Sequence, residues 1–264
     1  MTPGTGNSAG VRPTPLYGAP PNSSVSPQFA GANADPAEEA AWLSLRGFYS
    51  RRHSVSSYPW TMAISEPAGA VLAFAACKLG MTPNAVTVLS GLISTLGAVA
   101  YVLVPGGVAA GGVAFVVLQL GYVADCSDGQ LARAMRRCSP FGAWLDVAVD
   151  FLSDITIPVA LAVAALHSGT RLSTTIAGCV LLIYGQTLFL HTSTTKRKQG
   201  GTVDMKVSGA VFFLRLIADH GMFLALICLT RALFLPAIPL LMVAYGSLYS
   251  VLAIRIARNL PAET

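Results

Sequence analysis

The chain has 264 residues, 53% hydrophobic and only 11% charged, with a mean hydropathy of +0.61 and a formal net charge of +5. That balance excludes an ordinary soluble domain and points to one all-α, polytopic integral membrane domain. Cys77, Cys126, Cys138, Cys179 and Cys228 are scattered, odd in number and form no CxxC pair, which suggests neither a disulfide framework nor a zinc site, and they read as small core residues.

Residues 1–36 are rich in Pro, Gly, Ser, Asn and Ala with almost no charge, and are expected to be a disordered tail. They lack the basic start and apolar core of a signal peptide. Residues 37–80 are expected to be an interfacial, juxtamembrane segment, because Trp42, Phe48 and Tyr49 mix with Arg46, Arg51 and Arg52. Within it, 60–80 reads as a helix lying along the cytoplasmic surface and ending at Gly80. Glu66-Pro67 interrupts that stretch and leaves about a dozen apolar residues, too few to span; a seventh span is the alternative.

Residues 81–258 read as a six-helix domain. Thr82 is a good N-cap and Pro83 fits the first helical position, so the first span starts near 84 and runs to 104. Pro105-Gly106-Gly107 makes a turn. The second span starts near 108; the others are expected near 140–166, 172–193, 208–230 and 236–257. Six spans put both termini on one side. On that side fall Arg46, Arg51, Arg52, Lys78, Arg133, Arg136, Arg137, Lys196, Arg197, Lys198, Lys206, Arg255 and Arg258, against Arg171 and Arg231 on the other. The asymmetry places the termini at the cytoplasmic face of the cell membrane.

One stretch concentrates the acids: DCSDGQLARAMRRCSPFGAWLDVAVD, residues 125–150. Asp125 and Asp128 are three apart and Asp146 and Asp150 four apart, so each pair shares a helix face. Two helices meeting there would point four carboxylates into one volume, and such anions need counter-charge. A divalent metal is the simplest remedy, and hard oxygen ligands suit Mg²⁺ or Mn²⁺. The alternative is that the acids pair with Arg133, Arg136 and Arg137.

The spacing resembles the signature of the CDP-alcohol phosphotransferase family. Asp125, Asp128, Gly129, Ala132, Arg133, Gly142, Asp146 and Asp150 match all its fixed positions. The resemblance implies transfer of a phosphatidyl or other substituted phosphoryl group from a CDP-linked donor to an alcohol, with release of CMP, in phospholipid biosynthesis. Asp125, Asp128 and Asp146 are then metal ligands, for two ions. Asp150 is the catalytic base toward the acceptor hydroxyl and also touches metal. Gly129 and Ala132 border the cytidine and diphosphate, Arg133 pairs with donor phosphate, and Gly142 leaves space one turn from Asp146.

The expected donor is CDP-diacylglycerol; a soluble CDP-alcohol with a diacylglycerol acceptor is the rival. A cation transporter is the rival of another class, though carriers place acids near the midplane and show repeats, which this chain lacks. For the acceptor the candidates are Lys196, Arg197, Arg215 and Arg255, which would favour a phosphate-bearing alcohol if they converge. An internal Arg215–Asp219 pair and ordinary positive-inside charge are the competing readings. Many family members carry Arg after the last aspartate; here that residue is Phe151, with Asp154 one turn on. His191 and His220 have no paired ligand spacing and read as structural. The resemblance further implies a homodimer, with membrane lipids as surroundings and no nucleic-acid partner.

Overall fold

The computed structural model describes residues 41–52, 58–198 and 209–259. The expected tail, residues 1–36, and Lys206 lie outside the described residues. The described elements are helical throughout: α1 (Leu45–Ser50), a π-helical turn (Thr61–Ser65) running into α2 (Glu66–Lys78), α3 (Pro83–Leu103), α4 (Gly107–Ala134), α5 (Pro140–His167), α6 (Leu172–Lys198), α7 (Gly209–Ala218), α8 (His220–Leu233), a 3₁₀ turn (Leu235–Ala237) and α9 (Ile238–Arg258). α3, α4, α5, α6 and the stretch Leu235–Arg258 are long and apolar enough to cross a membrane. The pair Phe212–Ala218 and His220–Leu233 makes a sixth span if taken together. The protein is an all-α, multi-pass membrane protein.

Helix starts follow from their caps. The Thr82 hydroxyl accepts from the Ala85 amide at 3.2 Å with Pro83 behind it, so α3 begins where its N-cap sits. α5 begins the same way: the Ser139 hydroxyl accepts from the Gly142 amide at 3.0 Å and Pro140 follows. Between α4 and α5 the chain reverses through Arg136, whose φ is +53°. The Arg137 amide reaches back to the Ala132 carbonyl at 2.9 Å, closing the end of α4 with a left-handed residue that would normally be glycine. Close helix approach is bought by small residues. A Cβ on Gly91 would stand 2.8 Å from Val149 Cγ1, and one on Gly246 would stand 2.6 Å from the Leu181 carbonyl carbon. The core they enclose contains Tyr101, Leu118, Leu161, Leu182, Phe223, Ile227, Met242 and Tyr249.

Two expectations need correction. The span expected over 208–230 is not one straight helix: it bends by 66° at Asp219. The Asp219 carboxylate is fully buried and accepts from the Thr61 amide at 2.9 Å, the Thr61 hydroxyl at 2.9 Å and the Gly221 amide at 3.0 Å. Satisfying three donors requires an extended backbone at Asp219, which stops α7 and N-caps α8. Asp219 is therefore a cap and a tie to the N-terminal segment. The second correction concerns Glu66-Pro67, which does not interrupt the helix. Pro67 follows on the π-helical turn Thr61–Ser65, a local widening of the kind that accompanies a proline within a helix, and helix runs from Thr61 to Lys78. One face of it packs on α4. Ala70, Ala73, Ala76 and Glu66 are buried, and Gln130 Nε2 of α4 donates to the Glu66 carbonyl at 3.1 Å.

Candidate active and metal site

α4 delivers Asp125 and Asp128 and α5 delivers Asp146 and Asp150, because the helical spacings put each pair on one face and the turn through Arg136 brings those faces together. Each of Asp125, Asp128 and Asp146 offers an oxygen lying within 4.8 Å of the others. Asp128 is the most enclosed of the three, and the Thr87 hydroxyl of α3 donates to its Oδ2. Thr87 also sits 3.2 Å from the Pro83 carbonyl, so the start of α3 fixes the hydroxyl that fixes the carboxylate. Asp150 lies one turn past Asp146 and lines the same cavity, of about 330 Å³. Carboxylate oxygens this close repel unless a cation or a shared proton stands among them. A hard, all-oxygen set at this spacing fits Mg²⁺ or Mn²⁺.

The cavity also takes in Gly129, Gln130 and Arg133 from α4. A Cβ on Gly129 would stand 3.2 Å from Arg133 Nη1, so the guanidinium folds back over the space that the glycine leaves. Ala132 and Gly142 lie off the lining. The small size of Gly142 serves the helix start: a Cβ there would stand 3.1 Å from Asn84 Oδ1 and from Ser139 Oγ. Of the cations expected near the acceptor, Lys196 is half-buried near the end of α6, Arg215 is half-buried on α7 and Arg255 is exposed on α9; none of them lines the cavity. The Arg197 side chain lies outside the described residues.

Several cavity residues carry no signal in the signature: Arg52, Tyr58, Glu66, Asp154, Gln186 and Tyr249. A polar residue within an apolar span was the available clue for Asp154 and Gln186. Glu66 and Arg52 come from the N-terminal segment, whose place against α4 no local pattern announces. Tethers hold that segment down: Trp42 Nε1 donates to the Ala134 carbonyl at 3.0 Å, and the Arg51 guanidinium stacks 3.6 Å from the Trp42 ring centroid. His220 packs against Tyr122 and Phe223, with ring centroids 5.2 and 5.9 Å apart, and borders the cavity; His191 is exposed.

A bundle of membrane-spanning helices with a carboxylate centre at the junction of two of them defines an integral membrane protein with a metal-type site. The chain belongs to the CDP-alcohol phosphatidyltransferase family, whose model matches residues 80–257. The archaetidylinositol phosphate synthase of Pyrococcus horikoshii is 33% identical over 109 residues, 41% of this chain and 55% of that protein. A bifunctional IPC transferase and DIPP synthase of Aquifex aeolicus is 40% identical over 81 residues, 31% of this chain and 18% of its own length. The protein of the same description from Rubrobacter xylanophilus is 36% identical over 109 residues, 39% of this chain and 23% of its own length. The match thus spans about half of the first relative and less than a quarter of the other two. Mycobacterium tuberculosis phosphatidylinositol phosphate synthase, solved in complex with manganese and citrate, superposes with a TM-score of 0.50 at 21% identity, covering 72% of this chain and 89% of that one. At that identity the likeness shows the fold.

Proposed function

We propose that this protein transfers a phosphatidyl group from CDP-diacylglycerol to an alcohol, releasing CMP, in phospholipid biosynthesis. The observation that carries the reading is the meeting of Asp125, Asp128 and Asp146 within 4.8 Å of one another, with Asp150 on the wall of the same cavity. Asp125, Asp128 and Asp146 hold the metal, Mg²⁺ or Mn²⁺, with Asp150 completing a second site. A metal held by these carboxylates would supply the charge that neutralises the diphosphate and polarises its phosphorus. Thr87 orients the Asp128 carboxylate. Arg133 pairs with the donor diphosphate as it leans over Gly129. Asp150 accepts the proton of the acceptor hydroxyl as the oxygen–phosphorus bond forms and the bond to CMP breaks.

The site and termini face the cytoplasm, in keeping with the charge asymmetry, and the protein works as a homodimer. Lys196 and Arg255, off the cavity, serve that sidedness. The test is CMP release by the purified protein in lipid nanodiscs. CDP-diacylglycerol with a panel of alcohols is one arm, and a soluble CDP-alcohol with diacylglycerol is the other. Activity in the first arm, lost on chelation and restored by Mg²⁺ or Mn²⁺, is expected. Full turnover in metal-free buffer refutes the metal assignment, and turnover confined to the second arm refutes the donor.

A further inference from the structure

The carboxylate cavity continues past Asp150, and its wall there is polar although it is built from spanning helices. Asp154, one turn and about 6 Å further along α5, is buried and lines the cavity. Gln186 of α6 and Tyr249 of α9 line it as well, with only 4% and 2% of their surfaces exposed. The Gln186 Oε1 and the Tyr249 hydroxyl find no hydrogen-bond partner among the described residues. α6 and α9 therefore line this buried space with unpartnered polar atoms, beside the Asp154 side chain of α5. Such atoms inside a membrane domain are kept where a ligand completes them.

The charge of the wall narrows the ligand. Among the described residues, the cations that line the cavity are Arg52, from the N-terminal segment, and Arg133, at the end of α4. Among the described side chains, no Lys or Arg lines it from α5, α6 or α9. Phe151 takes the place after the last signature aspartate, and it is exposed. A phosphate seated beside Asp150 and Asp154 would meet two carboxylates and no cation from these helices. Hydroxyl groups would meet acceptors.

We infer that this end of the cavity is the acceptor subsite and that the acceptor is an uncharged polyhydroxy alcohol. Its hydroxyls donate to the Asp154 carboxylate and to Gln186 Oε1 and exchange a hydrogen bond with Tyr249, while another hydroxyl of the same molecule is presented to Asp150. The inference rests on the phosphatidyl-transfer reading and adds the acceptor class to it.

The experiment uses the full chain in nanodiscs with CDP-diacylglycerol and Mg²⁺, following CMP release. The acceptors are glycerol and myo-inositol, glycerol 3-phosphate and inositol phosphate, and ethanol. An uncharged polyol is expected to show kcat/KM at least about tenfold above its phosphorylated form and above ethanol. Tyr249→Phe and Gln186→Leu, each removing one uncharged hydrogen-bonding group, are expected to raise the acceptor KM about three- to tenfold while the donor KM moves less than about twofold. Tyr249→Phe keeps the ring that packs on Phe189 and Phe223, with centroids 5.4 and 6.3 Å away. Preference for the phosphorylated acceptors overturns the inference and leaves the transferase reading intact. So does an unchanged acceptor KM in both variants, which would assign the polar wall to ordered water. Loss of kcat with the donor and acceptor constants moving together marks a structural role and overturns it too. Absence of CMP release with every alcohol overturns both readings.

Discussion

Replacing Thr87 by valine tests whether the carboxylate cluster is a metal site whose geometry is set from α3. Valine keeps the shape of threonine and removes the hydroxyl that donates to Asp128. Thr87 is 3% exposed, so no bulk water stands ready to replace the donor. A hydrogen bond to a charged acceptor contributes about 1.5–3 kcal/mol, equivalent to a factor of about 10–150 in an equilibrium constant. Loss of a partner that orients a metal ligand commonly lowers metal affinity about 10–100-fold. The two routes agree, so the Mg²⁺ concentration for half-maximal CMP release should rise about 10–100-fold. Saturating Mg²⁺ should restore most of the rate, and Thr87→Ser should behave like the parent. Mn²⁺ binding followed by electron paramagnetic resonance reads the same shift without turnover. An unchanged midpoint, or a slow enzyme that excess metal does not rescue, would refute the reasoning.

Three further outcomes are expected. Asp150→Asn should lower turnover by the roughly 10²–10⁴-fold typical of losing a general base while donor binding, followed by titrating a CDP-lipid analogue, survives better than in Asp125→Asn; equal loss of binding in both would make Asp150 chiefly a ligand. Gly246→Val should destabilise the protein by about 1–3 kcal/mol through overpacking, since the new Cβ would press on the Leu181 backbone of α6; an unchanged thermal midpoint would mean that α6 and α9 can part at no cost. Exposed Cys138, between α4 and α5, should react with an impermeant thiol reagent from the cytoplasmic side, and Ser168→Cys in a Cys138→Ser background only from the opposite side. Labelling of both from one side would contradict the span count.

The centre was legible in the chain because spacing alone decides which side chains share a helix face. Asp125 and Asp128 share one helix face, and Asp146 and Asp150 another, as their three- and four-residue intervals require. Thr82 and Ser139 likewise start their helices where cap chemistry places them. What escaped was anything set by contacts between distant segments. Glu66-Pro67 was read as a break and Glu66 is instead buried against α4, since a π-helical turn precedes the proline and the neighbours at Ala70, Ala73 and Ala76 are small enough to pack. Asp219 was weighed as a partner for Arg215, four residues away. The donors that hold its carboxylate include Thr61, on a segment whose docking no pattern within 208–230 reveals. The cationic candidates fared differently again: Lys196 and Arg255 sit near helix ends, and end position could not say whether they turn toward the cavity.

The tie from Asp219 to Thr61 has a consequence for how the protein is made. Thr61 and Tyr58 form one part of the cavity wall, Ala218 and His220 another, and 158 residues of chain separate the two halves of the latch. During synthesis the early segment emerges without its Asp219 partner, which follows only once α7 and α8 are being translated. A nascent chain that already carries Asp125 through Asp150 therefore holds its full acidic set without a closed chamber around it. The closed chamber arrives late, as a property of the full-length polypeptide, so a stalled or prematurely terminated product has the aspartates and not the enclosure.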